Sequence, residues 1–433
     1  MLLLLHLTTA SAQPAGDLRG PGRNGTYPDA RVPERFDADG PELLWQRDGI
    51  GQGWMGPTIA GDRIYTLGSK AGTVVLSCYS LQGERLYQVE CGPSFQRRYP
   101  GCRSGVVVAE GRVYFSTARG VVHCRDAKTG QAVWSVDTIE RWGHKPSNWG
   151  WNPTPLVADG KVVFSMTGAR AQTVALDAAT GKLVWQGPPK GWTVSDASPI
   201  AVRLGGRTIV VETFHQATVA RDLSDGSACW MHMPGGHTQL TPVHGDGHLL
   251  LRQGGSMSLL KLAEDGGSVR LLWSAPRMND PSQAVIVADT VFSISQPIWR
   301  SGEFRSQRGG PELVLKGRRR VWLCQARDLA TGRVMQAMQV YSDGSVWSAG
   351  GKVFVLEGGQ GAGPDGRRGR TRIWMLQPKQ AGFTVAGVFH PVPGERQVWA
   401  AGAHRGGIMA WRHGRTLSVY RLVGQGDRPA DPQ

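Results

Sequence analysis

The feature that most constrains this chain is a strand–turn–strand unit, TVALDAATGKLVW, at Thr173–Trp185. Thr173–Leu176 and Leu183–Trp185 are rich in β-favouring side chains. Between them, Asp177 can accept backbone N–H bonds, and Gly181 supplies the positive φ that a short hairpin loop needs. The closing Trp185 is a large apolar plate that one hairpin cannot bury alone. Further copies of the unit are therefore needed to pack against it.

Such copies recur along most of the chain. Each ends in an aromatic or large residue, and successive ends lie 42, 47, 51, 45, 43 and 62 residues apart, at Trp45, Tyr87, Trp134, Trp185, Trp230, Trp273 and Met335. A period of about 45 residues is typical of the four-stranded blade of a β-propeller. The 60 glycines and 16 tryptophans agree, since such a fold needs many tight turns and regular aromatic packing.

A second strand–turn–strand signature precedes each hairpin, as in TPLVADGKVVFSM from Thr154. This signature predicts the inner strands a and b of a blade, and the hairpin predicts the outer strands c and d. The last copy, from Val398, lacks strand d, whereas PELLW at Pro41–Trp45 is a strand d without the other three. The sequence therefore predicts an all-β, eight-bladed β-propeller of four-stranded antiparallel blades, with the ring closed by the N-terminal strand.

The repeat resembles that of a known family. Ala175–Trp185 (ALDAATGKLVW) and Cys124–Trp134 (CRDAKTGQAVW) are similar to the pyrroloquinoline-quinone-like (PQQ-like) repeat. That superfamily includes the propeller subunit of the outer-membrane β-barrel assembly machinery and the quinoprotein dehydrogenases. RGPGRNG at Arg19–Gly25 resembles the opening of exported PQQ-like propeller proteins of planctomycete type, whose function is unassigned. The resemblance covers roughly residues 17–423 and implies a quinoprotein-like fold without specifying a function.

The two ends of the chain predict export and irregular structure. Residues 1–12 combine an apolar run with a small-residue site, Ala10-Ser11-Ala12, which is the pattern of a signal peptide. Residues 13–40 predict an irregular extension, 41–423 the propeller and 424–433 a disordered tail. Gln13, rather than the Cys of a lipid-modified protein, follows the expected cleavage site. We expect an exported protein of the periplasm or cell envelope without a transmembrane segment.

Export permits disulfides, and the chain has six cysteines. Cys91 and Cys102 flank one inter-strand loop and are the best-placed pair. Cys78 and Cys124 hold the same position in successive repeats, which is typical of buried packing thiols.

The sequence does not supply a recognisable ligand set for a quinone or a metal. Quinoprotein dehydrogenases have two adjacent cysteines and acidic and amide Ca²⁺ ligands near the axis. No two cysteines are adjacent here, and no spacing of carboxylates and amides indicates calcium. Four histidines fall within 17 residues, but the predicted strands separate them: His232, His237, His244 and His248. His244 is expected in an a–b turn, on the face opposite the loop that carries His237, so the four histidines cannot meet at one metal ion. We therefore predict no catalytic residue, no cofactor and no metal.

The long connections of the repeat predict a binding face. In a propeller the d–a and b–c connections emerge on one face, and the a–b and c–d turns on the other. The long connections here, 138–152, 187–196, 298–320 and 358–372, all belong to the first group. They carry the aromatic and basic side chains of the predicted face: Trp142, His144, Trp149, Trp151, Trp192, Arg305, Arg308, Arg318, Arg319, Arg320, Arg367 and Arg368. The competing interpretation is that Trp142, Trp149 and Trp151 close the channel mouth as packing.

These observations favour a non-catalytic, exported, monomeric scaffold that binds a protein or polysaccharide of the cell envelope through this face. The net charge of +15 favours an anionic partner, and export argues against nucleic acid. Two alternatives stay open: a quinoprotein-type, PQQ-dependent oxidoreductase and a glycan- or polyanion-binding module.

Overall fold

The computed structural model of the chain describes Pro14 and residues 16–97, 99–238, 240–275, 283–295, 322–358, 371–391 and 399–423. These residues form 33 strands and one five-residue helix, α1 (Thr138–Trp142). No helix within these ranges is long and apolar enough to cross a membrane. The expected signal peptide, residues 1–12, and the expected tail, residues 424–433, lie outside the described residues.

The strands form eight sheets, each with four antiparallel strands that make one blade. In seven blades the strands a to d follow one another along the chain. Blades 1 to 4 consist of β3 (Thr58–Ala60), β4 (Arg63–Lys70), β5 (Thr73–Ser80), β6 (Arg85–Pro93); β7 (Val107–Ala109), β8 (Arg112–Ser116), β9 (Val121–Asp126), β10 (Ala132–Asp137); β11 (Leu156–Ala158), β12 (Lys161–Ser165), β13 (Thr173–Asp177), β14 (Leu183–Gly187); and β15 (Ile200–Leu204), β16 (Arg207–Thr213), β17 (Thr218–Asp222), β18 (Ala228–His232). Blades 5 to 7 consist of β19 (Val243–Gly245), β20 (His248–Gln253), β21 (Ser256–Leu262), β22 (Val269–Ala275); β23 (Ala284–Val287), β24 (Thr290–Ser295), β25 (Trp322–Asp328), β26 (Val334–Val340); and β27 (Gly344–Ala349), β28 (Lys352–Glu357), β29 (Arg372–Lys379), β30 (Gly382–Phe389).

Blade 8 joins the two ends of the chain. Its strands a to c are β31 (Ala403–Arg405), β32 (Ile408–His413) and β33 (Thr416–Arg421). Strand d is β2 (Glu42–Arg47), which pairs antiparallel with β33 so that Trp45 lies opposite Val419. This confirms the predicted eight-bladed ring and its closure by the N-terminal strand.

The core lies in layers between neighbouring blades. The middle strands are covered on both sides, and in blade 3 Phe164 of β12 and Leu176 of β13 are fully buried. The outer strand β14 instead exposes Leu183 and Val184. Stability is therefore distributed around the ring, with each blade depending on its two neighbours.

The aromatic residue of an outer strand packs on the c–d turn of the next blade. Trp185 Nε1 donates to Leu223 O at 2.9 Å, and Trp134 Nε1 donates to Ala178 O at 3.0 Å. The turn glycine lies directly against the ring, because a Cβ built on Gly181 would lie 2.8 Å from Trp134 Cδ2. The hairpins of blades 3 and 4 therefore receive the aromatic ring of the preceding blade.

Replacing Gly181 with Ala is expected to destabilise the fold more than the same replacement at a turn glycine with open space around it. Gly181 has φ +71°, so alanine strains the backbone, and the added methyl group also collides with Trp134. Gly160 is a matched control, since it has φ +69° and nothing within 4 Å of its built Cβ. We expect G181A to lower the free energy of unfolding by about 1–3 kcal/mol more than G160A in chemical denaturation. Equal losses would contradict the role of the Trp134 contact.

A β-bulge lies just before this aromatic position in every outer strand. The skipped residue shifts the register, and in β14 Trp185 follows the bulge. In β26 the residue after the bulge is Gln336, so the assignment of Met335 to the aromatic position is wrong by one residue. Gln336 Oε1 accepts from Phe383 N at 2.7 Å, and a polar contact thus replaces the aromatic plate between blades 6 and 7.

Part of the N-terminal extension lies inside the ring. Gly16 forms a bridge with Val108 of blade 2, and β1 (Thr26–Tyr27) pairs parallel with the innermost strand β27 of blade 7. Between these points, Arg19 Nη2 donates to Ala284 O of blade 6 at 2.7 Å. We call residues 16–27 the axial segment, because they contact innermost strands around much of the ring.

A buried ion pair anchors the axial segment. Arg23 is 1% exposed, and its Nε lies 2.8 Å from both carboxylate oxygens of Asp17. Its Nη1 also donates to Thr154 O at 3.2 Å and to Pro199 O at 3.0 Å, just before the innermost strands of blades 3 and 4. The guanidinium group therefore joins the extension to two blades at once.

Hydroxyl groups link the inner ends of blades 2 to 5. Gly105 N donates to Thr154 Oγ1 at 2.7 Å, and Thr154 N donates to Ser198 Oγ at 3.0 Å. Ser198 N continues the series by donating to Thr241 Oγ1 at 3.3 Å. The recurring Ser or Thr at the start of the inner-strand signature therefore serves blade-to-blade bonding.

All six cysteines lie within the described residues, and all are free thiols. The expected Cys91–Cys102 disulfide is thus not formed, although both side chains are buried in the hydrophobic layer shared by blades 1 and 2. Burial raises the pKa of Cys102 to about 12, which keeps it a neutral packing group. Cys78 and Cys124 are fully buried at equivalent positions, opposite Tyr65 and Tyr114, as expected for packing thiols.

Candidate functional site

The connections between strands define two faces with opposite charge. We call the side of the d–a and b–c connections the loop face and the side of the a–b and c–d turns the turn face. Among the described residues, the loop-face connections carry eight basic and four acidic side chains: Arg97, Arg103, Arg119, Arg141, Lys145, Arg170, Lys190 and Arg415, against Asp48, Glu140, Asp196 and Asp343. The described turns carry three basic and nine acidic side chains: Lys128, Lys182 and Arg333, against Asp62, Glu84, Glu110, Asp159, Asp225, Asp246, Glu264, Asp265 and Asp289. The described connections are thus mainly basic on the loop face and mainly acidic on the turn face.

Three of the side chains predicted to form the binding face are buried packing groups. Trp142, at the end of α1, and Trp151 belong to the hydrophobic layer between blades 2 and 3. Trp151 Nε1 donates to Ser165 O at 3.1 Å. His144 Nδ1 lies 2.8 Å from Thr138 Oγ1, and burial lowers the pKa of His144 to about 4. These residues fix the connection in place, as in the competing interpretation of the sequence, and are not available to a partner.

Trp149, from the same connection, is exposed. It stacks on Tyr99 with ring centroids 5.8 Å apart and an interplanar angle of 23°. Trp192 is only partly exposed, because its ring packs on Phe214 of blade 4 at 5.7 Å. The remaining predicted residues of the face lie outside the described residues: Arg305, Arg308, Arg318, Arg319, Arg320, Arg367 and Arg368.

Four aromatic rings from four different d–a connections meet near the axis on the loop face. Trp54 contacts Trp399 at 5.2 Å between centroids, and Tyr99 contacts both of these rings in addition to Trp149. Each residue lies four to eight positions before the innermost strand of its blade. The four rings therefore lie where their connections approach the axis. We call Trp54, Tyr99, Trp149 and Trp399 the mouth cluster. The sequence analysis missed three of them, although their shared position before an inner strand was a usable signal.

Polar side chains from blades 2 to 4 lie beside the mouth cluster. Arg103 Nη2 donates to Tyr99 O at 2.8 Å, and Asp196 acts electrostatically on its guanidinium group. Burial lowers the pKa of Arg103, and the negative charge of Asp196 opposes that shift. His237 Nε2 lies 3.1 Å from Asp196 Oδ2, and the ring of His215 lies 4.9 Å from that of His237. This side of the mouth thus combines hydrogen-bond donors with a carboxylate acceptor.

The four clustered histidines of the sequence do not converge. His232 ends β18 and His248 begins β20. His244 lies within β19 and not in the a–b turn, because that innermost strand extends to Gly245. Of the four, only His237 lies in the loop-face connection, where its partners are Asp196 and His215.

The axis does not fit the quinone and calcium pair that this fold family implies. The axial segment occupies the inner ends of blades 2 to 4, where Leu18 packs on Gly105 and Arg23 is bonded to Thr154 and Pro199. Within the described ranges, no three His, Cys, Asp or Glu side chains are grouped so that they could hold a metal ion. The sequence also lacks the adjacent cysteines of quinoprotein dehydrogenases. No redox step is therefore assigned to the mouth.

Comparisons with known proteins agree with this architecture. The family model described as outer membrane protein assembly factor BamB matches residues 28–304. BamB from Moraxella catarrhalis has a similar structure, with a TM-score of 0.58 and 15% identity over 88% of this chain and 97% of that chain. The quinohemoprotein alcohol dehydrogenase from Comamonas testosteroni has a TM-score of 0.60 and 14% identity over 90% of this chain and 78% of that chain. At these identities the structural likeness shows the fold alone.

Curated relatives match only parts of the chain. Quinohemoprotein alcohol dehydrogenase ADH-IIG of Pseudomonas putida is 34% identical over 138 residues, which are 30% of this chain and 18% of that protein. The dehydrogenase subunit of the quinone alcohol dehydrogenase of Komagataeibacter europaeus is 40% identical over 88 residues, 19% of this chain and 12% of that protein. The chain thus covers less than a fifth of the length of these relatives.

Proposed function

Because the chain belongs to the family of the outer membrane protein assembly factor BamB, we propose that it is a non-catalytic, exported scaffold of the cell envelope. In this proposal the loop face binds a partner protein. The rigid ring holds the loops in place before binding, which limits the entropy lost on association. The turn face, by contrast, points away from the partner.

The observation that carries this proposal is the opposite charge of the two faces. Exposed basic side chains such as Arg119, Lys145 and Lys190 surround the loop face, while acidic side chains dominate the turns. Such a field steers an acidic partner towards the loop face and disfavours the opposite orientation.

A pair of matched charge reversals tests the face. The loop-face variant changes Arg119, Lys145 and Lys190 to Glu, and the turn-face variant changes Arg333, Lys128 and Lys182 to Glu. All six side chains are exposed, and both variants alter the net charge equally. We expect partners crosslinked in the intact cell envelope to fall tenfold or more with the loop-face variant and to persist with the turn-face variant. Equal recovery with the two variants, or equal loss, would count against the proposal.

A further inference from the structure

We propose that the mouth cluster is a carbohydrate platform that binds a neutral glycan segment of the cell envelope. The inference rests on the proposed function only in placing binding on the loop face. It names a second ligand there, with a different chemistry from that of an acidic protein partner.

The aromatic geometry suits a sugar ring. Tyr99 is 44% exposed and Trp149 is 39% exposed, although the two rings stack on each other. Both therefore keep apolar surface open to solvent, and Trp54 and Trp399 extend the platform behind them. One side of a pyranose carries mainly C–H bonds, and such a side packs on an aromatic face.

The neighbouring polar groups suit sugar hydroxyls. Hydroxyl groups both donate and accept, so a sugar site needs donors and acceptors at its edge. Arg103 provides guanidinium donors, and Asp196 provides carboxylate oxygens at the same side of the mouth. The Oε1 atom of Gln52 is buried without a hydrogen-bond partner two residues before Trp54. This edge can therefore bind a ligand through hydrogen bonds without a charge on that ligand.

The charge distribution favours a neutral glycan over an acidic peptide at this position. Two of the four described loop-face carboxylates lie at the mouth, Asp196 beside Arg103 and Asp343, whose Oδ2 accepts from Trp399 Nε1 at 3.0 Å. The excess of basic side chains lies in the surrounding loops, at residues such as Arg119, Lys145 and Lys190. The centre of the face thus holds two carboxylates beside Arg103, while its surroundings are basic. An acidic peptide would be attracted by the basic loops around the mouth and repelled by the carboxylates at its centre.

Binding of defined oligosaccharides to the full chain tests this site. The probes are cellohexaose, chitohexaose and maltohexaose, with poly-L-glutamate as the acidic peptide, and titration calorimetry is the measurement. We expect at least one hexaose to bind and its affinity to fall tenfold or more in W149A and in Y99A. M233A is the control, because Met233 is 64% exposed on the same face but belongs to a different d–a connection. Circular dichroism spectra and melting temperatures matching the wild type verify that each variant is folded.

The outcomes separate this inference from the proposed function. Failure of all three hexaoses to bind the wild-type chain overturns the glycan platform, as does equal binding by W149A and M233A. Binding of poly-L-glutamate that is lost in W149A and Y99A assigns the cluster to an acidic peptide and also overturns it. None of these variants changes the charge of the loop face. The matched charge reversals therefore still test the protein scaffold when the glycan result is negative.

Discussion

Replacing Asp17 with Asn is expected to lower the free energy of unfolding by about 3–5 kcal/mol. Among the residues that the structure describes, Asp17 provides the carboxylate that pairs with Arg23, whose side chain is 1% exposed. Without it, the guanidinium charge stays buried against the carbonyl oxygens of Thr154 and Pro199, which compensate its charge only partly. The loss should spread around the ring, because the axial segment contacts the innermost strands of several blades.

Chemical denaturation of D17N against the wild type measures this loss. R421Q is the control, because Arg421 and Glu42 form an ion pair at 2.6 Å that is exposed to solvent. Exposed pairs contribute about 0–1 kcal/mol, so the control should change little. If D17N were no less stable than R421Q, the axial segment would not be part of the folding core.

The fold was predictable where the sequence repeats. The turn of blade 3 forms as expected, since Thr180 N donates to Asp177 Oδ1 at 2.8 Å and Gly181 has φ +71°. The axial segment has no such pattern. Its glycines, prolines and charged residues are typical of an exposed extension, and only the surrounding ring makes burial of Arg23 favourable. Contacts between segments far apart in the chain carry no local signature.

The candidate site was predictable in its location and only partly in its residues. The loop connections are long because they lie outside the blade repeat, and this placed Trp149 correctly on the loop face. Trp142 and Trp151 come from the same connection as Trp149, but both are buried in the hydrophobic layer between blades 2 and 3. Irregular connections have no period from which an inward side chain can be distinguished from an outward one. The shift from Met335 to Gln336 has a similar origin, since a bulge changes the register within a strand.

The turns and the loop connections have different roles in this ring. Trp134 and Trp185 join neighbouring blades by donating hydrogen bonds to carbonyl oxygens of the c–d turns. Because these turns receive an aromatic ring, they are short and similar to one another. The d–a connections share the Ser or Thr that joins blades 2 to 5 and otherwise differ in length and composition. The axial segment bonds to the inner ends of blades 4 and 6, so the loops stand on blades that are joined from within. We therefore expect ligand contacts to concentrate on the loop face.

Acidification is expected to destabilise the protein as the pH falls from about 6.5 towards 4. Burial lowers the pKa of His123, His144 and His413 to about 4 and that of His404 to about 3. These folded-state pKa values lie below the ordinary value of 6.5, so the unfolded chain binds more protons in this pH window. The stability is therefore complete above about pH 6.5 and is lost as the pH falls.

His404 is the residue with which to test this dependence. Its Nε2 accepts from Trp347 Nε1 at 2.7 Å, so the ring is held neutral in the core between blades 7 and 8. A glutamine keeps an acceptor but does not titrate, and H404Q should remove about 3 kcal/mol of the difference in unfolding free energy between pH 7 and pH 4. H390Q, at an exposed histidine, is the control and should keep the wild-type dependence. Parallel stability-against-pH curves for H404Q and the wild type would show that the buried His404 does not account for the acid sensitivity.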